Sequence, residues 1–125
     1  MLGDKDAMAT IAVKDLEVAK QFYEGTLGLK PGGPPSTEAR IYRTGNSKLL
    51  VYRSQYAGTN QASSVTWGLG NDLERVVEAL KAKGVVFEHY DLPGLTRKGD
   101  VHLAGDFKAV WFKDPDGNIL HINSG

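Results

Sequence analysis

The sequence predicts an α+β fold: two tandem βαβββ modules whose strands form a curled mixed sheet around a cup-shaped cavity, with the helices on the outer face. Three observations carry that expectation. Short apolar or alternating stretches are interleaved with stretches of 3.6-residue periodicity. A pattern repeats, because Ala9-Thr-Ile-Ala-Val-Lys-Asp-Leu-Glu17 matches Thr66-Trp-Gly-Leu-Gly-Asn-Asp-Leu-Glu74 at a constant offset, and Leu49-Leu-Val-Tyr-Arg-Ser54 parallels Ile119-Leu-His-Ile-Asn-Ser124. Finally, residues 108–122 read as a β-hairpin with a fixed bend. A duplicated unit of about 55 residues places one module at roughly 7–54 and the other at roughly 63–124, within a single domain over 1–125.

In chain order, residues 7–13 form a buried strand and Asp15 is the N-cap of the first helix. Leu16, Ala19, Phe22 and Tyr23 recur at helical spacing, which predicts that helix over 16–26, with Gly25 and Gly28 as stop signals. The run Pro-Gly-Gly-Pro-Pro at 31–35 is a loop, and strands at 39–44 and 48–53 are joined through Gly45-Asn46. A polar connector covers 55–62. Another strand comes next at 64–70, and Asp72 caps a helix whose stripe is Leu73, Val76, Val77 and Leu80, ending before Gly84. Residues 85–90 are a strand. With one Pro, three Gly and several charges, residues 92–106 read as a long loop of the kind that serves as a lid or binding loop. In the closing hairpin, Pro115 presets φ for the turn and Gly117 takes the left-handed conformation. Alternation then puts Ile119, His121 and Asn123 on one face and Leu120 and Ile122 on the other. Leu16, Phe22, Leu73, Val76 and Leu80 are assigned to the core under the helices.

A chain of 125 residues buries about two-thirds of its unfolded surface, so it needs no disulfide, and it has no cysteine to form one. That absence excludes thiol chemistry and Cys-based zinc sites. Fifteen Lys and Arg balance fifteen Asp and Glu, which argues against nucleic acid or an anionic membrane surface as the dominant partner and favours a small molecule or another protein chain. Residues 1–6 do not read as a signal peptide, and no apolar run approaches the roughly 20 residues of a membrane span, so the expected location is the cytoplasm. There is no Ser-His-Asp signature, phosphate-cradling loop or nucleophile elbow. Asp114 and Asp116 read as turn residues.

The ordered set Val13-Lys-Asp-Leu-Glu17, Phe22-Tyr23, Leu27-Gly28-Leu29, Asp72-Leu-Glu74 and Phe112-Lys-Asp-Pro-Asp-Gly-Asn-Ile-Leu120 resembles the vicinal oxygen chelate superfamily, which includes glyoxalase I, bleomycin-resistance proteins, fosfomycin-resistance enzymes and extradiol dioxygenases. The resemblance implies paired βαβββ modules around a cavity and a homodimer. Metal-dependent members place a ligand on the first and last strand of each module. Those positions here are Met8, Val51, Val65 and His121, each matched to within about one residue. Of the four, only His121 can hold a hard divalent ion, which normally takes three or four protein ligands. The expectation is therefore a site without metal or other cofactor.

The candidate ligand-binding residues are Trp67, Trp111, His121, Arg53, Tyr42 and Arg40. Strand parity with Val65 puts Trp67 on the cavity face, and Trp111 matches an apolar pocket position of glyoxalase I. Together they would make a flat aromatic wall, or else belong to the core. Parity with Val51 sends Arg53 to the same face, whereas Arg40 and Tyr42 share a face left unassigned. His121 is either a satisfied strand histidine or a cavity-facing donor or general base. His102 and Asp106 are either solvated loop residues or a lid's contribution to the cavity mouth, and His89 is structural. Two functions fit these residues. One is a metal-free protein that holds an apolar or aromatic ligand, in the manner of bleomycin-resistance proteins. The alternative is a lyase or isomerase using His121, with His102 or Asp106, as acid and base, in one version with an atypical divalent metal near His121. A third reading makes the cleft a surface for dimer packing alone.

Overall fold

A computed structural model describes all 125 residues. The chain divides between Gly58 and Thr59, inside the polar connector, into two compact units. Each unit has its own sheet, so the strands form two open sheets rather than one curled sheet shared by both halves. The α+β class is as the sequence predicts, and so is the βαβββ order of the first unit, while the second unit adds one strand pair to that order. No helix is long and apolar enough to cross a membrane.

The first unit runs β1 (Ala9–Val13), α1 (Leu16–Lys20), β2 (Lys30–Pro31), β3 (Ala39–Thr44) and β4 (Ser47–Arg53), in the sheet order β1-β4-β3-β2. β1 lies parallel to β4, and the remaining pairs are antiparallel. Asp15 caps α1 as expected, its carboxylate accepting from the backbone N–H of Glu17 at 2.8 Å and of Val18 at 3.3 Å. The helix does not stay α-helical to residue 26. It widens into a π-helical stretch at Gln21–Thr26. Two successive residues of that stretch meet one tyrosine: the Tyr23 ring stacks on Tyr42 at 6.2 Å, and the Glu24 carboxylate accepts the Tyr42 hydroxyl at 3.0 Å. Tyr23 is the buried residue there, while Phe22 is half-buried.

The second unit runs β5 (Ser63–Gly68), a 3-10 turn (Gly70–Asp72), α2 (Leu73–Ala82), β6 (Phe87–Glu88), β7 (Thr96–Lys98), β8 (Val101–Ala104), β9 (Phe107–Lys113) and β10 (Ile119–Asn123). Its sheet order is β5-β10-β9-β8-β7, with β6 on the other end of β9. Leu73, Val77 and Leu80 form the buried stripe of α2, and Val76 is half-buried. The stretch 92–106 is not an irregular lid. It contains the β7–β8 hairpin, paired through Thr96↔Leu103 and Arg97↔His102 and carried on into β9. The glycines that suggested a loop make its turns: Gly99 and Gly105 sit at φ +62° and +60°, which a Cβ would disfavour.

The closing hairpin is held by Asp114. Its buried carboxylate accepts from the backbone N–H of Asp116 and Asn118, each at 2.9 Å, and from the Asn118 side-chain amide at 2.8 Å. Gly117, at φ +91°, completes the bend.

Register decides which residues share a face, and it separates the two units. In the first, Ile11 pairs with Val51 and Arg40 with Val51, so these residues share the face of Tyr42, whose ring meets the helix. The opposite face carries Thr10, Ala12, Leu50 and Tyr52, with Tyr52 37% exposed and Val51 fully buried. In the second, Lys108 shares its face with Val110 and Phe112, and its ammonium is bonded to Glu74 of α2, which identifies that face as the helix side. Trp111, Ala109, His121 and Asn123 lie on the other face.

Candidate functional site

The half-exposed face of the second sheet carries a cluster of four rings. Trp111 and His121 are cross-strand partners on β9 and β10, and their rings stack at 4.5 Å with an angle of 23° between planes. His102 meets Trp111 edge-on at 4.9 Å, and Tyr90 does so at 5.5 Å. The indole N–H donates to Ser63 Oγ at 3.2 Å. The tryptophan is thus held by three rings and at its nitrogen.

A chain of hydrogen bonds orders His121. The Gly125 backbone N–H donates to Asn123 Oδ1 at 2.9 Å, which turns Asn123 Nδ2 toward His121 Nε2 at 3.2 Å. Nε2 is then the acceptor, and Nδ1 donates to the Val110 carbonyl at 3.1 Å. Burial holds the imidazole below its ordinary pKa, against the Val110 carbonyl, which favours the charged form, and His102 lowers it further. A neutral ring with an accepting Nε2 is the result.

His102 is corrected on both counts. It is neither in a solvated loop nor part of a lid, but a fully buried residue of β8. Its Nε2 accepts the Tyr90 backbone N–H at 2.9 Å, and Nδ1 donates to the Ala109 carbonyl at 3.3 Å. Both nitrogens are therefore committed to backbone. Asp106 is exposed in the β8–β9 turn. It precedes Trp111 by five positions along β9, which at about 3.3 Å per residue leaves it about 16 Å away. His89 is tied to Asp100 at 2.7 Å, and Asp100 also holds Lys81 at 3.0 Å, pinning the inserted hairpin's tip to α2. Those two partners keep the Asp100 carboxyl below its usual range.

Beside the ring cluster lies an open cleft of about 330 Å³, bordered by Ser63, Tyr90, Leu92, Trp111 and Ile119. None of the residues lining it is charged. Its size is at the low end of the roughly 300–1,000 Å³ of small-molecule pockets.

The remaining candidates fall elsewhere. Trp67 pairs with Ile122, and Val65 with Leu120, on the helix side of the sheet, so Trp67 and Trp111 lie on opposite faces and cannot form one wall. Thr66 is the residue that sits beside His121. Tyr42 is on the helix side of the first unit and 1% exposed, its hydroxyl pushed up to about pKa 12 by burial and the Glu24 carboxylate. Arg40 shares that face. Its guanidinium is bonded to the Ser36 and Ala39 carbonyls and approaches Glu17 at 3.9 Å. Arg53 is exposed and paired with Glu38 at 3.2 Å. Both arginines border a polar cleft of about 390 Å³ with Lys14, Asp15 and Glu17.

The four positions matched to metal ligands also divide. Val51 and Val65 face the helices, His121 lies on the half-exposed face of its sheet, and Met8 is exposed just before β1. Moving one residue along brings in Leu50, Tyr52 and Thr66, which add no carboxylate or imidazole. No group of three or more His, Cys, Asp or Glu comes together that could hold an ion. These donors do not fit the metal that the fold implies.

Ser63, Tyr90 and Asn123 are parts of the cluster that residue types alone did not single out as functional. For Asn123, a signal was present, because alternation already put it on the face of His121.

The profile of the Glyoxalase/Bleomycin resistance protein/Dioxygenase superfamily matches residues 7–122. Similar solved structures include an integron cassette protein from the mobile metagenome of the Halifax Harbour sewage outfall, 19% identical, covering 97% of this chain and 99% of that one at TM-score 0.71. The fosfomycin resistance protein FosX from Listeria monocytogenes, complexed with Mn(II) and sulfate, is 14% identical and covers 98% of this chain and 90% of its own at TM-score 0.71. A glyoxalase/bleomycin resistance protein/dioxygenase from Alicyclobacillus acidocaldarius is 17% identical, with 98% and 93% covered, also at 0.71. At these identities the likeness speaks for the fold alone. No curated protein matches the chain. The profile spans nearly the whole chain and the two βαβββ units have its architecture, so this protein belongs to the Glyoxalase/Bleomycin resistance protein/Dioxygenase superfamily.

Proposed function

We propose that the chain is a metal-free small-molecule binding protein of the glyoxalase and bleomycin-resistance type, taking an apolar or aromatic ligand against Trp111 in the cleft of the second unit. The observation that carries this reading is a braced indole beside an uncharged cleft. The test is a fluorescence titration in a Trp67→Phe background, where Trp111 is the sole reporter, against a panel of aromatic compounds and glycopeptide antibiotics. Saturable quenching is the expected result, with binding by calorimetry that Trp111→Phe abolishes. A panel without one saturable ligand would sink the reading.

A second reading, an enzyme, draws support from His121, a neutral imidazole with its acceptor nitrogen ordered by Asn123. His102 and Asp106 are not the partners it would need, the one committed to backbone and the other distant. Turnover of any bound ligand that His121→Gln removes while binding is retained would favour it over the first. Metal analysis of protein purified without chelator addresses both readings: a stoichiometric divalent ion would overturn the metal-free proposal. The protein is further inferred to be a homodimer, as the resemblance implies, and sedimentation at micromolar concentration tests the stoichiometry.

A further inference from the structure

The Tyr90 hydroxyl is buried and has no hydrogen-bond partner. A buried hydroxyl left unsatisfied is destabilising, and native proteins retain few of them. The rest of this tyrosine is well held: its backbone N–H donates to His102, and its ring sits edge-on to Trp111 at 5.5 Å with 73° between planes. Swinging the ring away to satisfy the hydroxyl would lose the contact with Trp111. The same residue borders the 330 Å³ cleft. Trp111 cannot offer a donor there, because its N–H is given to Ser63.

We propose that the cleft selects uncharged planar aromatic compounds bearing a carbonyl-type acceptor, and that the Tyr90 hydroxyl donates to that acceptor when the ligand enters. The inference rests on the reading of the cleft as a small-molecule site. Its geometry pairs an apolar wall, Trp111 with Leu92 and Ile119, with one buried unpartnered hydroxyl, while the polar Gln61 and Ser63 are exposed at its border. Anionic ligands are disfavoured, since no lining residue is charged and Lys113, the cation that acts on Tyr90, is paired with Glu88 at 3.4 Å. The Tyr90 hydroxyl keeps its proton as a donor, its pKa raised by burial and by Glu88.

The experiment compares 1-indanone, indane and indane-1-carboxylate as probes by NMR titration of wild type and Tyr90→Phe, together with the thermal midpoints of the free proteins. The expected result is that wild type binds 1-indanone about tenfold more tightly than indane, that Tyr90→Phe removes this preference, and that the carboxylate binds worst. Tyr90→Phe should also raise the thermal midpoint of the free protein, because it removes an unpartnered hydroxyl while keeping the ring. Equal binding of 1-indanone and indane by wild type would overturn the carbonyl preference and leave the apolar cleft standing. A lowered midpoint in Tyr90→Phe would show that the hydroxyl has a partner in the free protein, and would also overturn the inference. Binding of neither neutral probe would overturn the cleft reading and this inference with it.

Discussion

The two units share one plan, yet they present different chemistry on equivalent faces. The first shows Thr10, Ala12, Leu50 and Tyr52 beside no histidine, and the second shows Trp111 stacked on His121 with His102 and Tyr90 around it. All three histidines of the chain lie in the second unit. The β7–β8 hairpin is the structural source of the difference. It is inserted between β6 and β9, supplies His102, and ties it to the Tyr90 backbone. The ring cluster lies where that hairpin joins the sheet.

The largest break in this comparison should come from His102→Ala. It empties a fully buried site and strands both the Tyr90 N–H and the Ala109 carbonyl, so a loss of about 3–5 kcal/mol in urea unfolding is expected. A cost below about 1 kcal/mol would mean that the hairpin does not hold the cluster. Next come the two hairpin turns. Asp114→Ala removes three hydrogen bonds from a buried carboxylate and should cost about 2–3 kcal/mol, whereas Asn46→Ala in the first unit should stay within about 0.5 kcal/mol. The two helix caps differ in the opposite sense. Asp15→Ala should cost about 1 kcal/mol, and Asp72→Ala close to nothing, because Asp72 makes no side-chain cap bond. Equal losses at the two caps would refute this difference between the units.

The smallest expected effect is a pH dependence confined to the second unit. The folded pKa of His121 lies below its unfolded value of about 6.5, so over that interval the folded state binds fewer protons than the unfolded chain. Stability contributed by the neutral ring is complete above about pH 6.5 and is lost as pH falls through the lower folded value. His121→Phe, which keeps an aromatic ring against Trp111 and cannot titrate, should flatten the stability profile between about pH 7 and 5. An unchanged slope would assign the proton to another group.

Local pattern was enough for the βαβββ order, the cap at Asp15, the closing hairpin and the pairing of His121 with Asn123 on one face, because each depends on residues close in sequence. Counting across the repeat fails. Leu16 and Leu73 correspond, as do Ile11 and Trp67 on the helix sides of their sheets, yet the second unit spends one more residue between strand and helix, in the 3-10 turn at Gly70–Asp72. Matching Val65 to a cavity-facing ligand position therefore misassigned the face of Trp67 along with that of Val65, since a shift of one residue reverses every side chain of a strand.

Composition and periodicity by themselves determined the α+β class and the presence of one imidazole on a strand face shared with Asn123. Only the tertiary structure decided that Trp67 and Arg40 turn toward the helices, that His102 is a buried anchor, and that Tyr90, which borders the cleft, holds a buried and unpartnered hydroxyl. The division has a physical cause. Periodicity records which residues alternate along one strand, but the face they meet, and the partners waiting there, depend on register and on segments distant in the chain.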